Sequence, residues 1–238
     1  MGTKIKMLGL VGFGWLSNAD YYRYINEGIN RELGGMNFAS CIMHSFNQGE
    51  IKIHMDAGDV SRVMDMIITA CKNMERSGAE GLVLCANTMH MFADSIQAQV
   101  NTPIIHIIDA TAQAIKVRSL KKVGLLGTKP TMELDFYKDR LQQQGIEAII
   151  PGDTADREFI HHTIFDELAK GMMTEETKSR YLDIINKLAE RGAEGVILGC
   201  TEIPLLIKQE DVTMPVFDTT RIHAEAAIRF SLGKTQYA

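Results

Sequence analysis

Short runs of Val, Ile and Leu recur along the chain, separated by longer stretches in which apolar residues fall three and four positions apart. The runs predict strands at 5–12, 37–44, 81–84, 104–107, 122–127, 147–150, 195–198 and 215–217. They are continuously apolar rather than alternating, as in strands covered on both faces of a parallel sheet. Tyr181, Ile184, Ile185 and Leu188 mark one face of a helix that opens with Glu175 and Glu176, acids suited to a first turn. Tyr21, Ile25 and Ile29 mark an earlier helix, with Ser17 or Asn18 as its cap and Gly34-Gly35 as its end. Strand–helix alternation of this kind predicts a parallel α/β architecture.

The pattern repeats. Gly78-Ala79-Glu80-Gly81 and the apolar run after it return as Gly192-Ala193-Glu194-Gly195 and its own run, 114 positions later. Gly9-Leu10-Val11-Gly12 echoes Gly124-Leu125-Leu126-Gly127 at 115, and Val100, Pro103 and Ile104 echo Val212, Pro215 and Val216 at 112. Three echoes in one order predict two pseudo-symmetric α/β halves, 1–104 with 212–238, and 105–211, with a cleft between them.

Composition narrows the class. The chain has 238 residues, 45% of them hydrophobic and 23% charged, with a formal net charge of −5. These are globular values. An acidic balance with scattered basic residues argues against nucleic acid as a partner. Every apolar run is interrupted before it could span a membrane, and the N-terminal segment lacks signal-peptide features. Four cysteines are too few for a disulfide framework, so a reduced, cytoplasmic protein is expected.

Parallel sheets bind ligands beyond the carboxyl ends of their strands. The repeat puts Ala86-Asn87-Thr88 and Cys200-Thr201-Glu202 there, each opening into a helical turn whose free N–H groups suit a carboxylate. Thr88 and Thr201 add hydroxyl donors. Cys200 reads either as a thiol with a pKa lowered by a helix start, with Glu202 as its proton partner, or as a structural cysteine. Cys41 and Cys71 read as core. Arg23 suits a carboxylate fork, or pairs on its own helix with Glu27. Thr128 and Thr131 follow a strand and either touch a ligand or cap the next helix, Thr131 the latter. His90 reads as a packing residue. The remaining histidines, His161 and His162 among them, lack ligand spacing with Cys or acids, so no metal site is expected. The spacing of Gly9, Gly12 and Gly14 does not fit a dinucleotide fingerprint.

These segments carry a resemblance. Leu10-Val11-Gly12, Tyr21-Tyr22-Arg23 with Ile25-Asn26, Asn87-Thr88-Met89-His90, Leu126-Gly127-Thr128, Thr131-Met132, Gly199-Cys200-Thr201-Glu202-Ile203-Pro204 and Pro215-Val216-Phe217-Asp218-Thr219 together resemble the aspartate/glutamate racemases, amino-acid racemases that work without PLP. The nearest likeness is to the aspartate-racemase branch of broad specificity. The resemblance implies two α/β domains, a small acidic amino acid as substrate, no cofactor and a homodimer. It also implies two cysteines, one per half, that remove and return the α-proton on opposite faces of Cα. Asn87, Thr88 and Thr201 would anchor the α-carboxylate, with Arg23 and Thr128 as further substrate contacts.

One departure matters most. The family's first cysteine immediately precedes the Asn-Thr pair, and here that position is Ala86, the repeat partner of Cys200. Cys85 stands one residue earlier, where a strand turns its side chain to the other face. The loop Gly12-Phe13-Gly14-Trp15 is one residue shorter than the family's, and Asn47 stands where the branch often has an acid. Three readings stay open: a racemase in which another group serves the Ala86 face, a single-cysteine lyase or decarboxylase-like enzyme, and a non-catalytic amino-acid-binding homologue.

Overall fold

The computed structural model describes residues 4–234. The chain divides into two units, Met1–His106 with His223–Ala238, and Ile107–Ile222. In the first, β1 (Leu8–Gly12) leads into α1 (Trp15–Leu33), then β2 (Cys41–Ser45), α2 (Gln48–Asp56), α3 (Val60–Arg76) and β3 (Gly81–Leu84). A 3₁₀ turn (Thr88–Phe92) and α4 (Ala93–Gln97) follow. The sheet is parallel, with order β2-β1-β3. The second unit opens with α5 (Ile107–Val117), followed by β4 (Lys122–Gly127), α6 (Lys129–Glu133), α7 (Asp135–Gln143), β5 (Glu147–Ile149), α8 (Thr154–Asp166), α9 (Glu175–Glu190), β6 (Val196–Gly199), α10 (Ile203–Leu206) and β7 (Val216–Asp218), and α11 (Thr219–Ser231) starts in it and passes into the first unit at His223. Its sheet is also parallel, with order β5-β4-β6-β7.

The repeat is structural down to single hydrogen bonds. Gly9 pairs with Leu82 as Gly124 pairs with Val196. Leu82 N–H donates to the Pro103 carbonyl at 2.9 Å, and Val196 N–H to the Pro215 carbonyl at 2.9 Å. Glu80 and Glu194 explain why the Gly-Ala-Glu-Gly block recurs. Each carboxylate accepts a backbone N–H at the head of the neighbouring segment, from Met7 at 3.4 Å and from Lys122 at 2.9 Å. Backbone bonds from Lys121 and Lys122 hold the Glu194 carboxyl below its ordinary pKa.

The unit boundaries differ from the expected ones, and strand pairing gives the reason. Residues 212–222, assigned by the sequence to the first half, belong to the second, because β7 pairs with β6. Helix α5 follows the first unit's last extended segment yet packs Ile107, Ile108 and Ile115 into a second-unit core with Val123, Leu125 and Tyr137. Its repeat counterpart α11 belongs to the first unit from His223 onward, where the Tyr21 hydroxyl meets His223 Nδ1 at 2.8 Å. The halves of the repeat thus exchange most of their final helices.

Smaller differences are local. The segment 104–107 makes one isolated bridge, Leu82 to Ile104, and then turns helical at Ile107. β1 starts at Leu8, not at residue 5. α1 starts at Trp15 with Gly14 as N-cap, so Ser17 and Asn18 lie inside it. Both are buried in other bonds: Ser17 Oγ donates to the Cys85 carbonyl at 3.2 Å, and Asn18 Nδ2 to Ser45 Oγ at 2.9 Å. Gly34 ends the helix with φ 69°, a conformation open to glycine. The helix expected around Tyr181 is α9, capped by Thr174, whose side chain accepts the Thr177 N–H.

Candidate active site

The carboxyl ends of β4 and β6 bring the second unit's chemistry together. Gly127 and Gly199 are register partners, and Thr128 and Cys200 follow them directly. Close approach dictates both glycines. A Cβ on Gly199 would stand 2.7 Å from the Leu126 carbonyl oxygen, and one on Gly127 2.9 Å from that of Gly199. The two strands therefore deliver Thr128 and Cys200 side by side.

Cys200 is partly buried and packs against the second-unit core cluster that includes Leu198, Ile203 and Tyr181. Its thiol donates to Glu202 Oε2 at 2.8 Å, and Thr201 Oγ1 donates to the same oxygen at 2.7 Å. Glu202 is itself buried. The thiol pKa is raised, not lowered as the sequence predicts. Burial first, and then the Glu202 charge beside it, push the Cys200 thiol well above its ordinary value. The helix expected to lower it is the single turn of α10, which starts after Glu202 and offers little dipole. Thr128 is the N-cap residue of α6 without a side-chain cap bond, and its hydroxyl lies 3.1 Å from that of Thr131. Thr131, expected as a cap, is fully buried one turn further on.

The first unit's turn has no exposed thiol. Cys85 is fully buried, and its Sγ points back to the Val83 carbonyl at 3.6 Å, with burial pushing its pKa up. Ala86 and Thr88 are partly exposed and Asn87 is buried. His90 fixes this turn from below, with Nδ1 2.9 Å from the Ala86 carbonyl. It packs against His106 and His223, with ring centroids at 4.7 and 5.4 Å, so it is a packing histidine that also holds the backbone at Ala86. Arg23 lies exposed on α1, bonded to Asp20 at 2.8 Å and close to Glu27 at 3.6 Å. That is the helix-face pairing, and the structure does not gather Arg23 with the other candidates.

His161 was not legible as a site residue. Its Nδ1 accepts the backbone N–H of Lys129 at 3.1 Å, next to Thr128. Nothing in sequence spacing links α8 to α6, so only the fold reveals the contact. Among the described residues no three His, Cys, Asp or Glu side chains form a metal-binding group, and no helix is long and apolar enough to cross a membrane.

Comparison with known proteins agrees with this layout. A Yersinia pestis structure proposed as an Asp/Glu racemase is 43% identical, with TM-score 0.90, covering 96% of this chain and all of that one. An aspartate racemase homologue from Pyrococcus horikoshii is 38% identical, with TM-score 0.81, over 95% of this chain and 99% of its own. The broad specificity amino-acid racemase RacX of Bacillus subtilis is 21% identical over 178 residues, 71% of this chain and 73% of RacX. The model of the Asp/Glu/hydantoin racemases matches residues 10–227, and the chain belongs to that family.

Proposed function

We propose that the chain is a cofactor-independent racemase-type enzyme that moves the α-proton of aspartate- or glutamate-like amino acids, with Cys200 as its acid–base group. The observation that carries this reading is the Cys200–Glu202 pair, a thiol and a carboxylate bonded at 2.8 Å beyond β6. The pair holds one negative charge whether the proton sits on sulfur or on oxygen. Passing the proton to Glu202 Oε2 yields a thiolate beside a neutral carboxyl, which avoids two adjacent buried anions. The thiolate then takes the α-hydrogen, leaving Cα with the electron pair, and the same S–H or another donor returns a proton. The Thr128 hydroxyl serves the substrate carboxylate, where developing charge needs donors, while the Thr201 hydroxyl steadies the Glu202 carboxylate. Asn87 and Thr88 stand at the corresponding turn of the first unit.

Ala86 shapes the outcome. With Cys85 buried and Ala86 lacking any acid–base atom, the first unit's turn supplies no second thiol. A single-base reaction, exchange or elimination from one face, is the second reading this favours. Incubation of each enantiomer of aspartate and glutamate in D₂O, followed by proton NMR, separates the readings. Loss of the α-proton signal with inversion supports the racemase, and loss without inversion the single-base enzyme. Binding without exchange of any of the four refutes both and leaves an amino-acid-binding protein.

A further inference from the structure

The ring of His161 is tied to the strand end that carries Thr128. A backbone N–H can only donate, so the 3.1 Å bond from Lys129 N–H needs a lone pair on His161 Nδ1. The neutral ring therefore carries its proton on Nε2, and protonating Nδ1 breaks the bond. His161 is partly buried, with its ring set edge-on against Phe165 at 5.2 Å and His162 at 5.5 Å. Glu158 of α8 interacts electrostatically with His161, with His162 and with Lys129 of α6. Lys129 pairs with Glu158, and His162 Nε2 lies 3.6 Å from Glu158. One turn further along, Arg157 and Glu133 tie α8 to α6 at 2.8 Å. Thr128 and Lys129 thus form a turn held from the side by α8, one residue beyond the Gly127–Gly199 pair that also delivers Cys200.

We propose that His161 is a positioning residue of this site, and that it holds the turn of Thr128 and Lys129 beside Cys200 only as the neutral imidazole. The proposal rests on the racemase-type reading. It identifies a group that sets Thr128 without touching substrate. It also gives that group a titration that a merely structural residue lacks: as pH falls, Nδ1 is protonated, the Lys129 amide loses its acceptor and the turn loosens.

The test compares the full chain with His161→Ala and His161→Asn, because an Asn side-chain oxygen can accept the same amide without titrating. The α-hydrogen exchange rate on aspartate and glutamate is followed from about pH 5 to about pH 9, across the histidine range. The expected result is a loss of about tenfold in kcat/KM for His161→Ala, the order of one lost hydrogen bond. His161→Asn restores most of the rate and lacks the acidic limb expected of the wild type. A wild-type rate in His161→Ala, or an unchanged acidic limb in His161→Asn, overturns the proposal. Absence of exchange in the wild type overturns the racemase reading instead. The Lys129 amide resonance then reports on His161 alone. It shifts with pH in the wild type and not in His161→Asn if the bond is as assigned, and identical titrations in both chains refute it.

Discussion

The Cys200 thiol and the Glu202 carboxylate share a 2.8 Å hydrogen bond, and the Thr201 hydroxyl donates to the same carboxylate oxygen. This contact reverses the first expectation for the thiol. Position after a strand argues for an easily ionised cysteine, whereas burial of the thiol and, second to it, the Glu202 charge two residues on argue for a reluctant one, and these dominate. Thiolate-dependent chemistry should accordingly rise with pH well past neutrality in the wild type. Glu202→Gln removes the repelling charge and keeps the side-chain shape, so the rise should move to lower pH. Alkylation of Cys200 by iodoacetamide, followed by mass spectrometry from neutral to alkaline pH, measures this directly. Coincident profiles for the two proteins would show that Glu202 does not control the thiol.

Ala86 is the other half of the same question. It is partly exposed at the turn after β3, and Ala86→Cys adds only a sulfur there. General acid–base groups contribute about 10²–10⁴-fold when correctly placed. Ala86→Cys should therefore raise racemisation of aspartate or glutamate by about 10²-fold, measured by circular dichroism of the amino acid. No gain would show that position 86 does not align with Cys200 in function.

The architecture and its duplication were largely legible, because continuous apolar strands and the Gly-Ala-Glu-Gly block report directly on buried parallel pairing. Glu80 and Glu194 show why. Their sequence position is set by a backbone bond made within the neighbouring strand pair, so the repeat survives in the sequence. The exchange of α5 and α11 was not legible, since a helix's apolar face does not say which sheet it will cover. The thiol's environment was half legible: Glu202 was visible as a neighbour, but the burial of Cys200 against the second-unit core, the larger cause of its raised pKa, follows from packing. Ser17 and Asn18 look like caps, yet tertiary bonds to Cys85 and Ser45 draw them into the helix.

The glycine that precedes Cys200 gives a prediction about precision. Gly199→Ala places a methyl 2.7 Å from a backbone oxygen that cannot rotate away. Overpacking of this kind costs about 1–3 kcal/mol, and it should spread β4 from β6 and slow proton exchange. Gly152→Ala is the control, since its Cβ would meet only the movable Arg191 guanidinium at 3.4 Å, and its cost should stay within about 0.5 kcal/mol. Urea unfolding of both variants, alongside exchange rates, makes the comparison. Equal stability in the two would show that the strands accommodate the methyl.

Acid stability should depend on His223. Its Nε2 faces the Ile105 carbonyl at 2.6 Å, which can only accept, so Nε2 carries the proton and Nδ1 accepts from the Tyr21 hydroxyl. Complete burial first, and then the neighbouring His90, lower its pKa from 6.5 to about 3. The unfolded chain therefore binds the proton first as pH falls. Stability from the neutral ring is fully present above about pH 6.5 and is lost as pH drops toward about 3, at about 1.4 kcal/mol per pH unit. Between pH 6.5 and 5 the loss attributable to His223 is about 2 kcal/mol. His223→Gln should be less stable than the wild type near neutrality, because the bonds to Tyr21 and Ile105 are weakened, but its stability should fall less steeply on acidification. Urea midpoints of the two proteins at these pH values would then converge, and parallel pH dependences would show that His223 does not carry the acid sensitivity.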